Sequence, residues 1–190
     1  MTGGWLDDLE AVAPDPVDAF RSLEAGRFIA VRRAIRRRTT IGTTPSIVPQ
    51  LAALAEAFDA LIDRLPDRAF AEPGGEADWN VAQAIGHAAH ARAGLSQAAA
   101  LAASRRWPAD APAVVPGVPG DAVASRDQLR RRISVSQRAI ERFARSIDGH
   151  ETEPCPLVHP LVGTLRCGEW LLFAGVHDLM HLEQLHATED

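Results

Sequence analysis

Along this 190-residue chain apolar residues recur at steps of three and four, the period of helices that bury one side. Ile47, Leu51, Leu54, Phe58, Leu61 and Leu65 form the cleanest stripe and predict a helix over 46–65 facing a bundle seam. Pro49 falls in its first turn, where a missing N–H costs little, and Pro66 ends it. A second helix is predicted from Asn80, an N-cap with Gln83 at N3. It runs through Val81, Ala84, Ile85, Ala88, Leu95, Ala98 and Leu101 to about Arg106. A third, capped by Asp121, carries Leu129, Ile133, Ile140 and Phe143 and stops at Ile147, before Asp148-Gly149. The last runs from Cys167 to His186, with Trp170, Phe173, His177, Met180, His181 and Gln184 every three or four residues. Upstream, Asp15-Pro16 offers an N-cap and a first-turn proline for a less regular helix reaching about Arg38.

The segments between these stripes read as loops. Residues 66–78 are acidic and contain glycine, and Trp107 to Gly120 holds four prolines, which no continuous helix tolerates. A further long loop, through Pro154, Pro156 and His159-Pro160 to Gly163, leads up to the last helix. Tyr is absent and alternating Val, Ile and Thr are hard to find, so a β architecture is not expected. The fold class expected is all-α: a four-helix bundle over 46–190, preceded by a helical extension over 1–45.

Composition changes this picture only at the edges. Aliphatic and aromatic residues make up 46% of the chain, enough for a core, and much of it is Ala, which suits closely packed helices. The net charge of −5 gives no general attraction to nucleic acid or to an anionic membrane. Arg32, Arg33, Arg36, Arg37 and Arg38 form a local exception. They are read as a solvated face pairing with acidic residues rather than a phosphate site, because no stacking aromatics are interleaved. No leader-like segment opens the chain and no apolar run approaches a membrane span, so a soluble, cytoplasmic protein is expected. Cys155 and Cys167 have no metal or redox spacing and are read as reduced thiols. Cys167, near a helix start, is the one with a route to reactivity.

Candidate chemistry centres on the histidines. His177 and His181 lie one turn apart on a face shared with Trp170, Phe173 and Met180. Such a pair is either two hydrogen-bonded core histidines or two ligands of one ion. A third ligand from another helix would complete a catalytic divalent site with an open position. His87 is the best candidate, at the edge of an apolar stripe, and His90 is the alternative. Asp178 reads as a salt-bridge partner, Glu183 as a solvent-facing or helix-facing residue, Gln184 as a group orienting a ligand, and His159 as bonding backbone or reaching the pocket.

Trp79-Asn80-Val81 followed by His87, together with His177-Asp178-Leu179-Met180-His181 and Gln184, resembles the DinB-like (DinB/YfiT-type) family. The approach His159-Pro160-Leu161-Val162-Gly163-Thr164-Leu165, then Glu169-Trp170, is similar to that family's entry to its last helix. The likeness spans roughly 46–187. It implies an up-down-down-up bundle, often a homodimer, with His87, His177 and His181 around zinc, nickel, iron or manganese. Where many relatives place Ser or Thr, this chain has Arg166, which leaves the cap of the last helix open. Members include transferases and isomerases that use a low-molecular-weight thiol, proposed hydrolases, and proteins without an assigned reaction.

The expected function is therefore a metal-dependent transferase or hydrolase acting on a small molecule, with a thiol as a further cofactor. A non-catalytic metal-stabilised or ligand-binding bundle, related to stress, is the alternative. A zinc protease is a third, since His177-Asp178-x-x-His181 differs from H-E-x-x-H by one methylene; no substrate-binding strand supports it.

Overall fold

A computed structural model describes residues 4–23, 28–71 and 79–189. Among them the chain forms α1 (Gly4–Glu10), α2 (Pro14–Arg21), α3 (Phe28–Arg38), α4 (Thr44–Arg64), α5 (Asp67–Ala71), α6 (Val81–Ala103) and α7 (Arg126–Ile147). A β-hairpin follows, β1 (Pro154–His159) and β2 (Gly163–Arg166), and then α8 (Cys167–His186). The architecture is the expected all-α bundle, with α4, α6, α7 and α8 as its four long helices.

Each of α4 and α6 packs against both α7 and α8, so α4 and α6 sit diagonally. Side-chain contacts fix the directions. Arg126 donates to the carbonyls of Ile62 and Leu65 at one end of α4, while Gln137 and the Leu51 carbonyl meet at Arg92 further along, so α4 and α7 are antiparallel. Asn80 bonds the Ala122 carbonyl and Arg92 bonds Ser136, so α6 and α7 are parallel. Thr44 and Gly168 both bond Glu151, and Arg64 pairs with Glu189, so α4 and α8 are parallel. The topology is up-down-down-up. Ile47, Leu51, Leu54, Phe58 and Leu61, the α4 stripe, are fully buried in this core. By length and composition α4 could cross a membrane, contrary to the sequence expectation, but that apolar side lies inside the bundle.

Several boundaries differ from the expected ones. The helix expected over 15–38 is two, α2 and α3; α2 starts at Pro14 after an N-cap at Ala13, not at Asp15. Between them the sequence has Ser22 and Gly26, both weaker helix formers than Ala; residues 24–27 lie outside the described part. Asp15 instead bonds Gln50 through both its N–H and its carboxylate. Part of the 66–78 loop is the short α5, and residues 72–78 again lie outside the described part. The capping box at Asn80 and Gln83 is present, but α6 ends at Ala103. Asp121 accepts from the Val123 N–H in a turn, and the cap of α7 is Ser125, which exchanges bonds with Gln128.

The long loop before α8 holds the largest departure, an antiparallel hairpin with His159 opposite Gly163. Gly163 has φ +71, which a side chain rarely permits. Pro154 and Pro156 mask the strand in the sequence, since proline does not donate to a ladder.

Helix N-termini leave N–H groups without intrahelical partners, and here one carboxylate serves from a distance. Buried Glu151 accepts from the N–H and hydroxyl of Thr44 and from the Gly42 N–H, capping α4. Its own carbonyl and that of Glu153 accept from the Gly168 and Cys167 N–H groups, at the start of α8. Those two carbonyls do the work of a capping hydroxyl at Arg166, and the Glu169 carboxylate in turn accepts from the Arg166 N–H at 2.8 Å and from its guanidinium at 2.7 Å. Glu169 also pairs with Arg36, and Arg38 with Asp15 and Asp18, so these members of the arginine cluster tie α3 to α8 and α2.

Burial alone would raise the Glu151 carboxyl. The bonds from its own backbone N–H, Thr44 and Gly42 outweigh that and hold it below the ordinary 4.5. A carboxyl lowered in the folded state stabilises fully above its unfolded pKa, and the contribution is lost as pH falls through the folded one. Glu151→Gln, which keeps an acceptor but not the charge, should lower Tm at neutral pH and flatten the fall of Tm below about pH 4.5. Parallel Tm-versus-pH curves for the two proteins would contradict this.

Candidate metal centre

Three imidazoles converge, one from the first third of α6 and two from the second half of α8. Ring centroids of His87 and His177 are 5.1 Å apart, those of His87 and His181 5.1 Å, and those of His177 and His181 4.5 Å. One ring nitrogen from each lies within 4.8 Å of the other two. His87 is half-buried and the α8 pair is buried. The two readings of the α8 pair are resolved in part by this juxtaposition: the histidines do line the core side of α8, and they face a third from α6.

Each ring is oriented by what its other nitrogen meets. His87 Nδ1 lies 2.8 Å from the Val118 carbonyl, so it donates there and turns Nε2 inward. His181 Nδ1 donates to Gln184 Oε1 at 3.1 Å, the orienting contact expected of Gln184. His177 Nδ1 is buried with no hydrogen-bond partner, and its Nε2 lies 3.3 Å from His87 Nε2. Two nitrogens bound at 2.0–2.1 Å to one tetrahedral ion would be about 3.3 Å apart. The donor set and its spacing thus fit a divalent ion. Burial, then the neighbouring imidazoles, hold His177 well below its ordinary pKa and His181 at about 4. At neutral pH these rings are uncharged and keep a lone pair for a cation.

The Val118 carbonyl is delivered by the proline-rich crossover between the parallel α6 and α7. That segment is pinned to α6 where Gly86 meets Gly120: a Cβ on Gly86 would lie 2.8 Å from the Gly120 Cα, and the Gly120 N–H bonds the Gln83 carbonyl. Further back, the Val115 N–H donates to Val158 and the Val158 N–H to Ala113, joining crossover to β1. Crossover and hairpin thereby wall a cavity of about 740 Å³ whose lining includes the three histidines, Trp79, Trp107, Leu157 and Met180. Val118 was not legible as a site element; of the hairpin, only His159 was, as a residue that bonds backbone or reaches the pocket, with loop length as the further signal.

Other candidates take plainer places. His90 is exposed and lines the cavity away from the triad; His159 lines it from the hairpin; Glu183 is exposed at its edge. Cys155 and Cys167 are free and buried, and burial pushes Cys167 up to about 12, so neither is poised as a thiolate.

Asp178 is buried against Arg92 and does not line the cavity, which removes it as the base of a protease-like site. Arg92 is itself fully buried: Nε donates to Ser136 Oγ at 3.1 Å, Nη1 to Asp178, and Nη2 to the Leu51 carbonyl at 3.0 Å and Gln137 Oε1 at 2.6 Å. Burial pushes the Asp178 carboxyl up to about 7 against the pull of Arg92. The pair fixes the rotation of α8 and so the direction of His177.

A family model described as the DinB superfamily matches residues 50–185, well over half of the chain. No curated protein and no solved structure matches.

Removing one partner of a buried ion pair leaves the other uncompensated, at a cost of about 3–5 kcal/mol. Asp178→Leu should destabilise the protein by that amount in urea unfolding, and adding Arg92→Met should recover most of it. Loss of less than about 0.5 kcal/mol in the single variant would contradict the arrangement.

Proposed function

The chain belongs to the DinB superfamily, and on that premise we propose that it is a divalent-metal-dependent enzyme acting on a small molecule. His87, His177 and His181 would hold the ion. One observation carries this: three imidazoles converge in the lining of one cavity, and among the described residues no fourth His, Cys, Asp or Glu joins them. A set of three protein ligands leaves a position for a reactant, whereas a structural ion is closed by four. That contrast favours an enzyme over a bundle merely braced by metal.

When bound, zinc, nickel, iron or manganese would supply Lewis acidity that makes a thiol or a water nucleophilic near neutral pH. The reaction classes in view are transfer to or from a low-molecular-weight thiol, and hydrolysis. The chain's own residues have definite tasks. Val118 and Gln184 hold two rings in the orientation a cation needs, as such outer partners do. Trp79, Trp107, Met180 and the prolines of the crossover exclude water and receive the apolar part of a substrate. The Arg92–Asp178 pair keeps α8 from rotating.

Protein purified without a metal-affinity tag should contain about one equivalent of a divalent metal, or take it up on titration, by elemental analysis. His87→Ala and His177→Ala should each lose it while remaining helical by circular dichroism. No uptake by the parent protein, or uptake unchanged in both variants, would contradict the proposal.

A further inference from the structure

We propose that His159 is a hydrogen-bond donor to the molecule bound in the three-histidine cavity, which is mostly apolar and presents an oxygen lone pair at that point. The inference rests on the cavity being the ligand site of the function proposed above. It starts from the tip of the hairpin. The Leu161 N–H points at His159 Nδ1 from 3.2 Å. A backbone N–H can only donate, so Nδ1 is the acceptor and the proton of the neutral ring sits on Nε2. The expectations that this residue bonds backbone or reaches the pocket are both met, by opposite sides of one ring.

The ring is held as well as protonated in a defined way. It stands edge to face with Phe173 at 4.9 Å and tilted against Trp170 at 6.3 Å, both of them fully buried. Gly163 at positive φ closes the turn that sets Leu161 under the ring. No second partner for His159 is found among the described residues, and its ring lines the same cavity as His177 and His181. Burial, then the nearby His87, hold its pKa at about 4, in keeping with a neutral ring.

The ligand class follows from the rest of the lining. Trp79, Leu95, Trp107, Leu157 and Met180 offer apolar surface, and Glu183 is the only formally charged side chain among the described lining residues. A molecule with an apolar body fits this wall, and an oxygen that reaches His159 Nε2–H gives it orientation.

Two readouts test this. In the 15N-labelled protein, long-range proton–nitrogen correlations at neutral pH should show His159 as the Nε2–H tautomer; the Nδ1–H tautomer would overturn the proposal. Benzohydroxamic acid, an oxygen-bearing metal ligand with an apolar ring, is then titrated into zinc-loaded full-length protein with tryptophan fluorescence as signal. His159→Leu should weaken it about tenfold, the worth of one hydrogen bond, with zinc content unchanged. His159→Gln, which keeps an N–H, should restore most of the affinity. Equal affinity in His159→Leu and the parent would overturn the proposal while leaving the metal reading intact. Failure of the parent to take up zinc would instead contradict the metal reading, and the tautomer then decides the role of His159.

Discussion

One guanidinium joins all four long helices. Arg92 on α6 reaches a carbonyl of α4, two side chains of α7 and a carboxylate of α8, and none of these contacts is open to solvent. A charge so placed is tolerable only if its donors find partners. Helix rotations that would strand it are therefore disfavoured, and the bundle is locked about this point. Asp178 is the neighbour of His177 in sequence, about 100° away around the helix. With Asp178 drawn to Arg92, His177 is turned to the other side of the α6–α8 contact, where His87 stands.

The second constraint is topological. In an up-down-down-up bundle α6 and α7 run parallel, so the chain must travel the length of the body between them. The connection is proline-rich and irregular, and it lines the same cavity as α6 and α8. Its carbonyl at Val118 orients His87, its backbone pairs with β1, and the hairpin carries His159 over the same space. The segments least regular in sequence thus complete a cavity whose other wall, with the candidate ligands, comes from the regular α6 and α8.

What was legible beforehand follows from this division. Repeating stripes mark the four long helices because a buried helix face has a period, and the Asn80–Gln83 cap is local chemistry. His177 and His181 share a face by spacing alone, and His87 was placed with them by stripe position and family resemblance; the structure brings the three together. The misses are long-range. Glu151 caps a helix more than a hundred residues away in sequence, and no local pattern announces it. Pro154 and Pro156 hide a strand that pairs with β2 and adds a bridge to the crossover. Asp121 and Ser125 are both acceptable caps, and only the path of the chain out of the crossover puts Ser125 at the helix start.

On the proposed reading, three imidazoles and one exchangeable group would surround a divalent ion. X-ray absorption of the zinc-loaded protein examines that shell directly. The account predicts imidazole nitrogens at about 2.0–2.1 Å, three in number, with one further light-atom ligand that changes when a small metal-binding molecule is added. A sulfur neighbour at about 2.3 Å, a fourth protein nitrogen, or the spectrum of hydrated zinc would contradict it.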